Sequence, residues 1–336
     1  MIILSLFDGM GCGYEALKRA GIHVTKYYAS EIDKYAMQIA KKNHPDIIHL
    51  GDVLRWQEWV IDRPDLIIGG SPCQGFSFAG GQLAFDDPRS KLFFEMTDII
   101  DYYKPRFKLL ENVKMKKEYL AIITDFMNCG EPHFINSALV SAQSRQRFYW
   151  YNWSAPDPED RGLLLRDIII DGAGLIKDRG ELKLRNDKAM CIDANYHKGI
   201  DNHGQRTLIG TIATPSNKVS TITGARIVGR RIHPETGKRD DYNLNIKAEQ
   251  RLEVREDGKA GCLTTVDKDS VLSDGISYRK LTPTECERLQ TLPDGYTEGV
   301  SDTQRYRMIG NGWTVEVLAH IFSHMPLNEI ERMQQL

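Results

Sequence analysis

Cys73 stands in the stretch Gly69-Gly70-Ser71-Pro72-Cys73-Gln74-Gly75-Phe76-Ser77, directly after the apolar run Leu66-Ile67-Ile68. A thiol presented after two glycines and a proline is not in a usual core position, and its thiolate is a strong nucleophile. Glu111 follows Leu109-Leu110 and precedes Asn112-Val113. Two apolar residues leading straight into a carboxylate indicate a partly buried acid. Burial raises a carboxyl pKa, which suits it to donating a proton. Each residue alone has an ordinary explanation: Cys73 as a loop thiol, Glu111 as half of a strand-end ion pair.

A second candidate lies near the N-terminus, in Phe7-Asp8-Gly9-Met10-Gly11-Cys12-Gly13. A strand, a glycine-rich turn and a helix form a common nucleotide cradle, because glycines let the backbone approach the ligand and the helix N-terminus is electropositive. Glu31 at the end of the next strand is placed to bond ribose hydroxyls, and Asp52 after the third to receive an amino donor from adenine. The pattern also fits a nicotinamide enzyme or a plain tight turn. The spacing Gly-x-Gly-x-Gly leans away from the dinucleotide version, Gly-x-Gly-x-x-Gly.

These residues need a frame that brings strand ends together. The patterning predicts strands over Ile2 to Phe7, Val24 to Ser30, Ile47 to Val53, Asp65 to Gly70, Phe107 to Val113, Phe134 to Val140 and Phe148 to Trp153. Helical patterns fill the gaps, with Ala16, Leu17 and Ala20 on one side after the glycine turn, then Leu92 to Tyr103 and Glu118 to Met127. Alternating strands and helices predict an α/β domain with a mostly parallel, doubly wound sheet. Beyond about Pro156 the chain is rich in Gly, Asn, Thr and Arg, with short β-like pieces at Lys218 to Thr223 and Arg226 to Val228. A helix over Thr314 to His324 then returns to the first domain. The expected division is 1–156, 157–277 and 278–336.

The chain has 336 residues, 41% hydrophobic and 27% charged, which suits a packed core. Its six cysteines are far apart and form no CxxC pair, so neither a zinc site nor a disulfide framework is expected. No apolar run approaches the roughly 18 residues of a membrane span. The apolar start at Met1 to Leu6 lacks a basic lead, so a cytoplasmic chain is expected. The net charge of −2 argues mildly against a general nucleic-acid coat protein. Gln205 to Arg239, however, holds seven Lys/Arg against one acid, a local charge of +6. A localised basic patch is the footprint of nucleic-acid binding, or else a solvated face.

In order along the chain come Gly-Gly-Ser-Pro-Cys-Gln-Gly-Phe-Ser, Glu111-Asn112-Val113, Gln143-Ser144-Arg145-Gln146-Arg147, Arg279-Lys280-Leu281-Thr282-Pro283, Arg288-Leu289-Gln290 with Leu292-Pro293, and Ile309-Gly310-Asn311. With these blocks the sequence resembles the DNA cytosine carbon-5 methyltransferase family. Pro-Cys-Gln is similar to the bacterial and phage branch; Leu4 to Asp52 and Arg89 to Phe94 also resemble the animal de novo branch. The resemblance implies a Rossmann-like methyltransferase fold that uses S-adenosyl-L-methionine, with a smaller β-rich target-recognition domain. It implies Cys73 as the nucleophile adding to carbon 6 of a flipped-out cytosine, Glu111 bonding the exocyclic amine and ring nitrogen 3, Arg147 holding the base carbonyl and Arg145 beside it. Phe7, Gly9 and Gly11 would line the methionine side of the cofactor, Glu31 its ribose and Asp52 its adenine, with Ile32 on the adenine face and Leu92 and Asn311 near by. Gln74, Arg206, Arg226, Arg230 and Arg231 are the candidate DNA contacts, since Arg to guanine is the commonest specific contact. Gly75 to Arg89 reads as a loop able to close over DNA. A monomer acting on double-stranded DNA is expected, without a metal, alone or beside a restriction enzyme.

Two residues depart from the family pattern. Cys12 replaces a usual glycine, as a small packing substitute. Trp313, in Asn311-Gly312-Trp313-Thr314-Val315, stands where smaller residues are usual, and this puts the shape of the cofactor pocket in question. The rival readings are a tRNA cytosine methyltransferase of the same family, a nicotinamide oxidoreductase and a non-catalytic DNA-binding protein. The oxidoreductase leaves Pro-Cys-Gln and Gln-x-Arg-x-Arg unexplained, and the non-catalytic protein leaves an intact set of Cys73, Glu111, Arg145 and Arg147.

Overall fold

In a computed structural model, the structure describes residues 1–71, 91–170, 184–186, 223–233, 249–254, 259, 271–273 and 278–328. It divides into two compact units. The first comprises Met1–Ser137, Gln146–Glu159 and Gly312–Leu336, the second Ala138–Arg145 and Asp160–Asn311.

The first unit is built on a seven-stranded sheet: β1 (Ile2–Leu6), β2 (Lys26–Ser30), β3 (Ile47–Gly51), β4 (Leu66–Gly69), β5 (Phe107–Val113), β6 (His133–Asn136) and β7 (Gln146–Tyr151), in the order β3-β2-β1-β4-β5-β7-β6. The first five strands run parallel; β7 is antiparallel to both β5 and β6. Because β1 pairs with both β2 and β4, the winding direction reverses there. Such a reversal opens a crevice at the carboxyl ends of the strands, where ligands bind. The central strands are buried on both faces, which explains runs such as Ile3-Leu4 and Leu66-Ile67-Ile68 rather than alternation.

Helices α1 (Cys12–Arg19), α2 (Lys34–Asn43), α3 (Lys91–Tyr103) and α4 (Lys117–Met127) cover the sheet, with α7 (Val315–Ser323) at the end of the chain. The core on one side holds Leu4, Leu6, Ile67, Phe93, Met96, Leu110 and Trp150. On the other, α7 packs against α1 and buries Val315, Val317, Leu318, Ile321 and Phe322. Arg19 on α1 reaches Glu316 on α7 at 2.8 Å. Asp33 caps α2, accepting from the backbone N–H groups of Tyr35 and Ala36.

The predicted elements of this unit are present with shifted ends: Val24 to Ser30 starts at Lys26, Ile47 to Val53 stops at Gly51 and Phe148 to Trp153 stops at Tyr151, and two further shifts have a visible cause. The strand read over Phe134 to Val140 ends at Asn136, where Ser137–Leu139 forms a 3₁₀ turn. Ser137 is drawn out of the ladder, its hydroxyl donating to Thr314 Oγ1 at 3.0 Å. The strand read from Phe148 begins two residues earlier, because Gln146 and Arg147 pair with Asn136 and Ile135.

In the second unit, β8 (Leu184–Asn186), β9 (Thr223–Arg230) and β10 (Glu249–Val254) form a sheet in the order β8-β10-β9, and β11 (Val271–Ser273) pairs with β12 (Tyr278–Lys280). Helix α5 (Pro283–Leu289) starts with a reciprocal cap between Thr282 and Glu285 and with Pro283 in its first turn. It packs on α6 (Asp302–Asn311). Between them Glu287 is fully buried, bonded by the N–H groups of Gly295 and Thr297 and by Arg305.

Candidate active site

The carboxyl ends of the parallel strands carry Gly9, Glu31, Asp52 and Glu111, and the antiparallel β7 carries Arg147. On the β1–β3 side, Gly9 has φ +62°, a conformation natural to glycine. Its N–H donates to Glu31 Oε2 at 2.8 Å, while Glu31 Oε1 accepts from the N–H groups of Ile32 and Asp33, each at 2.8 Å. Glu31 thus locks the turn after β1 to the end of β2, and an ionised carboxylate with about four acceptor sites keeps capacity for a ligand hydroxyl. The ends are tied further by Asp8 N–H to Ser30 O and by Ser30 Oγ to Gly51 O. Asp52 Oδ1 accepts from Leu54 N–H at 3.0 Å.

Beside these acids two apolar side chains face outward, Ile32 at 73% exposure and Leu54 at 54%. No Cβ placed on Gly9 would meet an atom within 4 Å, so the turn borders open space. Carboxylates for hydroxyl and amino donors, apolar side chains for a flat ring and an open glycine turn fit a nucleoside-bearing cofactor. Gly11 also has positive φ and leads into α1. Phe7 and Leu92 are partly buried against the core, and Cys12 is buried on α1 as a small packing residue.

Sequence reasoning did not single out Asp8. It is fully covered, accepts from Tyr27 Oη at 2.7 Å, and burial pushes its pKa up to about 6. An acid inside a glycine turn gives no sequence signal of burial. The signal that could have found it is the adjoining tyrosine-rich strand Lys26-Tyr27-Tyr28.

On the β4–β5 side, Glu111 and Arg147 meet. The register pairs Val113 with Arg147 and Glu111 with Tyr149, so Glu111 and Arg147 are diagonal neighbours across the β5–β7 ladder. Arg147 Nε lies 2.9 Å from Glu111 Oε1, with side chains only 12% and 9% exposed. The contact is one of charge without hydrogen-bond alignment. The other oxygen, Oε2, accepts from Trp313 Nε1 at 3.2 Å. Next along β5, Asn112 Nδ2 donates to Ser71 Oγ at 3.2 Å, fixing the segment that leads into Pro72. Cys73 and Gln74 lie outside the described residues, as do Gly75 to Arg89 and Arg206.

Arg145 belongs to the second unit. It is buried, and its Nη1 donates to Gly310 O at 3.3 Å, beside the exposed Asn311 at the end of α6. Gln143 Nε2 donates to Leu289 O and to Gln290 Oε1, and Gln290 Nε2 donates to Ile309 O. Three blocks far apart in sequence are therefore bonded into one network inside this unit. Arg226 and Arg230 lie on β9, with the register setting them opposite Glu253 and Glu249. Arg231 follows directly. Among the described residues no group of His, Cys, Asp and Glu could hold a metal ion, and no helix is long and apolar enough to cross a membrane.

The chain is similar along nearly its whole length to known methyltransferases. The type II methyltransferase M.NlaX of Neisseria lactamica is 30% identical, over 96% of this chain and 95% of its own. The orphan methyltransferase M.SPRI of Bacillus phage SPR is 26% identical, over 96% and 97%. The crystal structure of S. pombe Dnmt2 methyltransferase shares the fold with a TM-score of 0.55 at 16% identity, over 96% of this chain and 97% of that one. Residues 1–326 match the family described as C-5 cytosine-specific DNA methylase, and the chain belongs to that family of cytosine methyltransferases.

Proposed function

We propose that this protein methylates carbon 5 of cytosine in double-stranded DNA, with S-adenosyl-L-methionine as the methyl donor and Cys73 as the nucleophile. The observation that carries the reading is the buried Glu111 carboxylate, set at the end of β5 with Arg147 on one oxygen. One strand over, Ser71 leads into Pro72 and Cys73. DNA rather than tRNA is favoured because the family that matches is one of DNA methylases.

Carbon 5 of cytosine is a poor nucleophile. A bond from the Cys73 thiolate to carbon 6 moves the ring π electrons and makes carbon 5 the nucleophilic end of an enamine. Glu111 bonds the exocyclic amine and holds a proton at ring nitrogen 3, while Arg147 meets the carbonyl oxygen and Arg145 supports the ring's placement. These groups stabilise the charge that develops in the adduct. When bound, S-adenosyl-L-methionine supplies the electrophilic methyl group. A base then takes the carbon 5 proton; the C–H electron pair restores the ring double bond and the bond to carbon 6 breaks, expelling the Cys73 thiolate. Phe7, Gly9, Gly11, Glu31, Ile32, Asp52, Leu92 and Asn311 are the residues proposed to hold the cofactor. Residues 157–277 are proposed as the target-recognition region, with Gln74, Arg206, Arg226, Arg230 and Arg231 contacting DNA once the base is flipped. A monomer in a bacterial cytoplasm completes the proposal.

The test is expression in a methylation-deficient bacterial host, with modified cytosines mapped across the genome and Cys73→Ala as control. The expected result is 5-methylcytosine confined to one short sequence and absent in the control. Unmodified DNA together with methylated tRNA would overturn the choice of substrate.

A further inference from the structure

Trp313 is 6% exposed, and its indole lies in a slot that only glycine leaves open. A Cβ on Gly70, at the end of β4, would come within 2.8 Å of Trp313 Nε1 and 3.3 Å of Glu111 Oε2. A Cβ on Gly13 of α1 would lie 3.2 Å from Trp313 Cζ3. Rigid elements hold the residue from behind: it directly precedes α7, whose inner face is buried against α1, and the neighbouring Thr314 is bonded by Ser137. The indole's single polar group is a donor, and it is aimed at Glu111 Oε2.

The two oxygens of Glu111 are therefore held in different ways. Oε2 accepts a hydrogen bond from Trp313. Oε1 is buried and close to the charge of Arg147, yet accepts no aligned hydrogen bond from the described residues. A buried carboxylate oxygen with unused acceptor capacity is costly unless a ligand fills it. We propose that Trp313 is a positioning residue: its N–H pins Oε2 and so presents Oε1 to the amino group of the substrate base. The inference rests on the cytosine-methylation reading above.

Removing the N–H while keeping an aromatic ring isolates the effect. For Trp313→Phe, the single-turnover rate constant for methylation of cytosine-containing duplex DNA should fall by about tenfold, the scale of one hydrogen bond to a charged group. KM for S-adenosyl-L-methionine and the melting temperature should stay as in the unaltered enzyme. In a Glu111→Ala background, which lacks the acceptor, Trp313→Phe should cost nothing further. Should the phenylalanine variant fail to fold, benzothienylalanine at position 313 keeps the ring's shape, replaces N–H by sulfur and should show the same loss. An unchanged single-turnover rate constant, an equal loss in the Glu111→Ala background, or a loss confined to cofactor KM would each overturn the inference. If the unaltered enzyme methylates cytosine in neither DNA nor tRNA, the cytosine reading falls and takes the inference with it. Full activity in both the unaltered and the Trp313→Phe enzymes overturns the inference alone.

Discussion

The backbone N–H of Gly9 donates to the carboxylate of Glu31 at 2.8 Å, so the acid that ends β2 also fixes the turn that ends β1. Because Ile32 and Asp33 bond the same carboxylate, Glu31 organises three backbone donors. Glu31→Ala should weaken binding of S-adenosyl-L-methionine by at least about tenfold and lower stability by about 2 kcal/mol, through donors left without an acceptor. Glu31→Gln, which keeps one acceptor oxygen, should fall between. Isothermal titration with the cofactor, paired with urea unfolding, separates the two effects. Unchanged cofactor affinity in Glu31→Ala would remove this residue from the binding site.

The covalent chemistry assigned to Cys73 and Glu111 separates into distinct losses. Cys73→Ala should abolish methyl transfer and leave DNA binding largely intact. Glu111→Gln should slow transfer by about 100-fold or more, with cofactor affinity little changed. Filter binding of duplex DNA and transfer of a labelled methyl group measure both. Substantial turnover in Cys73→Ala would sink the nucleophile assignment, and a near-normal rate in Glu111→Gln would refute its part.

How much of this was legible in the sequence depended on whether a signal was local. The buried parallel strands were plain, since Ile2 to Leu6 and Leu66 to Gly69 are apolar on both faces. Phe107 to Val113 matched to the residue. Glu111 was found because two leucines lead into it. Its partnership with Trp313 was not, because a contact across 202 residues depends on how α7 packs. The one trace was that Trp313 is too large for the pattern around Asn311. β10 also went unread: Glu-Gln-Arg-Leu-Glu-Val is mostly polar, and it is a strand through its pairing with β9. For β6, β-propensity extends the strand to Val140, since propensity carries no trace of the bond from Ser137 to Thr314 that ends it at Asn136.

The second unit offers a stability test of its own packing. Glu287 is wholly buried, and its positive partner is Arg305, 3.0 Å away, which also bonds Thr297. Arg305→Ala leaves a buried carboxylate without its counter-charge, a change that costs about 3–5 kcal/mol. Arg55 pairs with Glu58 in the open, so Arg55→Ala should leave the melting temperature unchanged. Thermal unfolding of the two variants side by side checks the contrast. Equal stability in both would mean that the Glu287 network contributes nothing.

Asp8 and His44 give the fold a pH dependence in which two slopes oppose each other. Burial raises the Asp8 pKa from 3.8 to about 6, so between those values the folded chain binds more protons than the unfolded one at this site. By linkage its contribution to stability declines as pH rises through that window, by about 3 kcal/mol in all. His44, stacked on Tyr14 at 4.5 Å, is pushed down from 6.5 to about 4, chiefly by burial. There the unfolded chain binds more protons, and stability is lost as pH falls from about 6.5 to about 4. The two largely cancel in the unaltered protein. Asp8→Asn keeps an acceptor for Tyr27, removes one slope, and should leave a chain that gains stability steadily from pH 4 to 6.5. It should exceed the unaltered protein most at pH 7 and above. Urea unfolding at half-unit pH steps reads this directly. A variant no more stable than the unaltered protein at pH 8 would show that Asp8 carries no penalty for its burial.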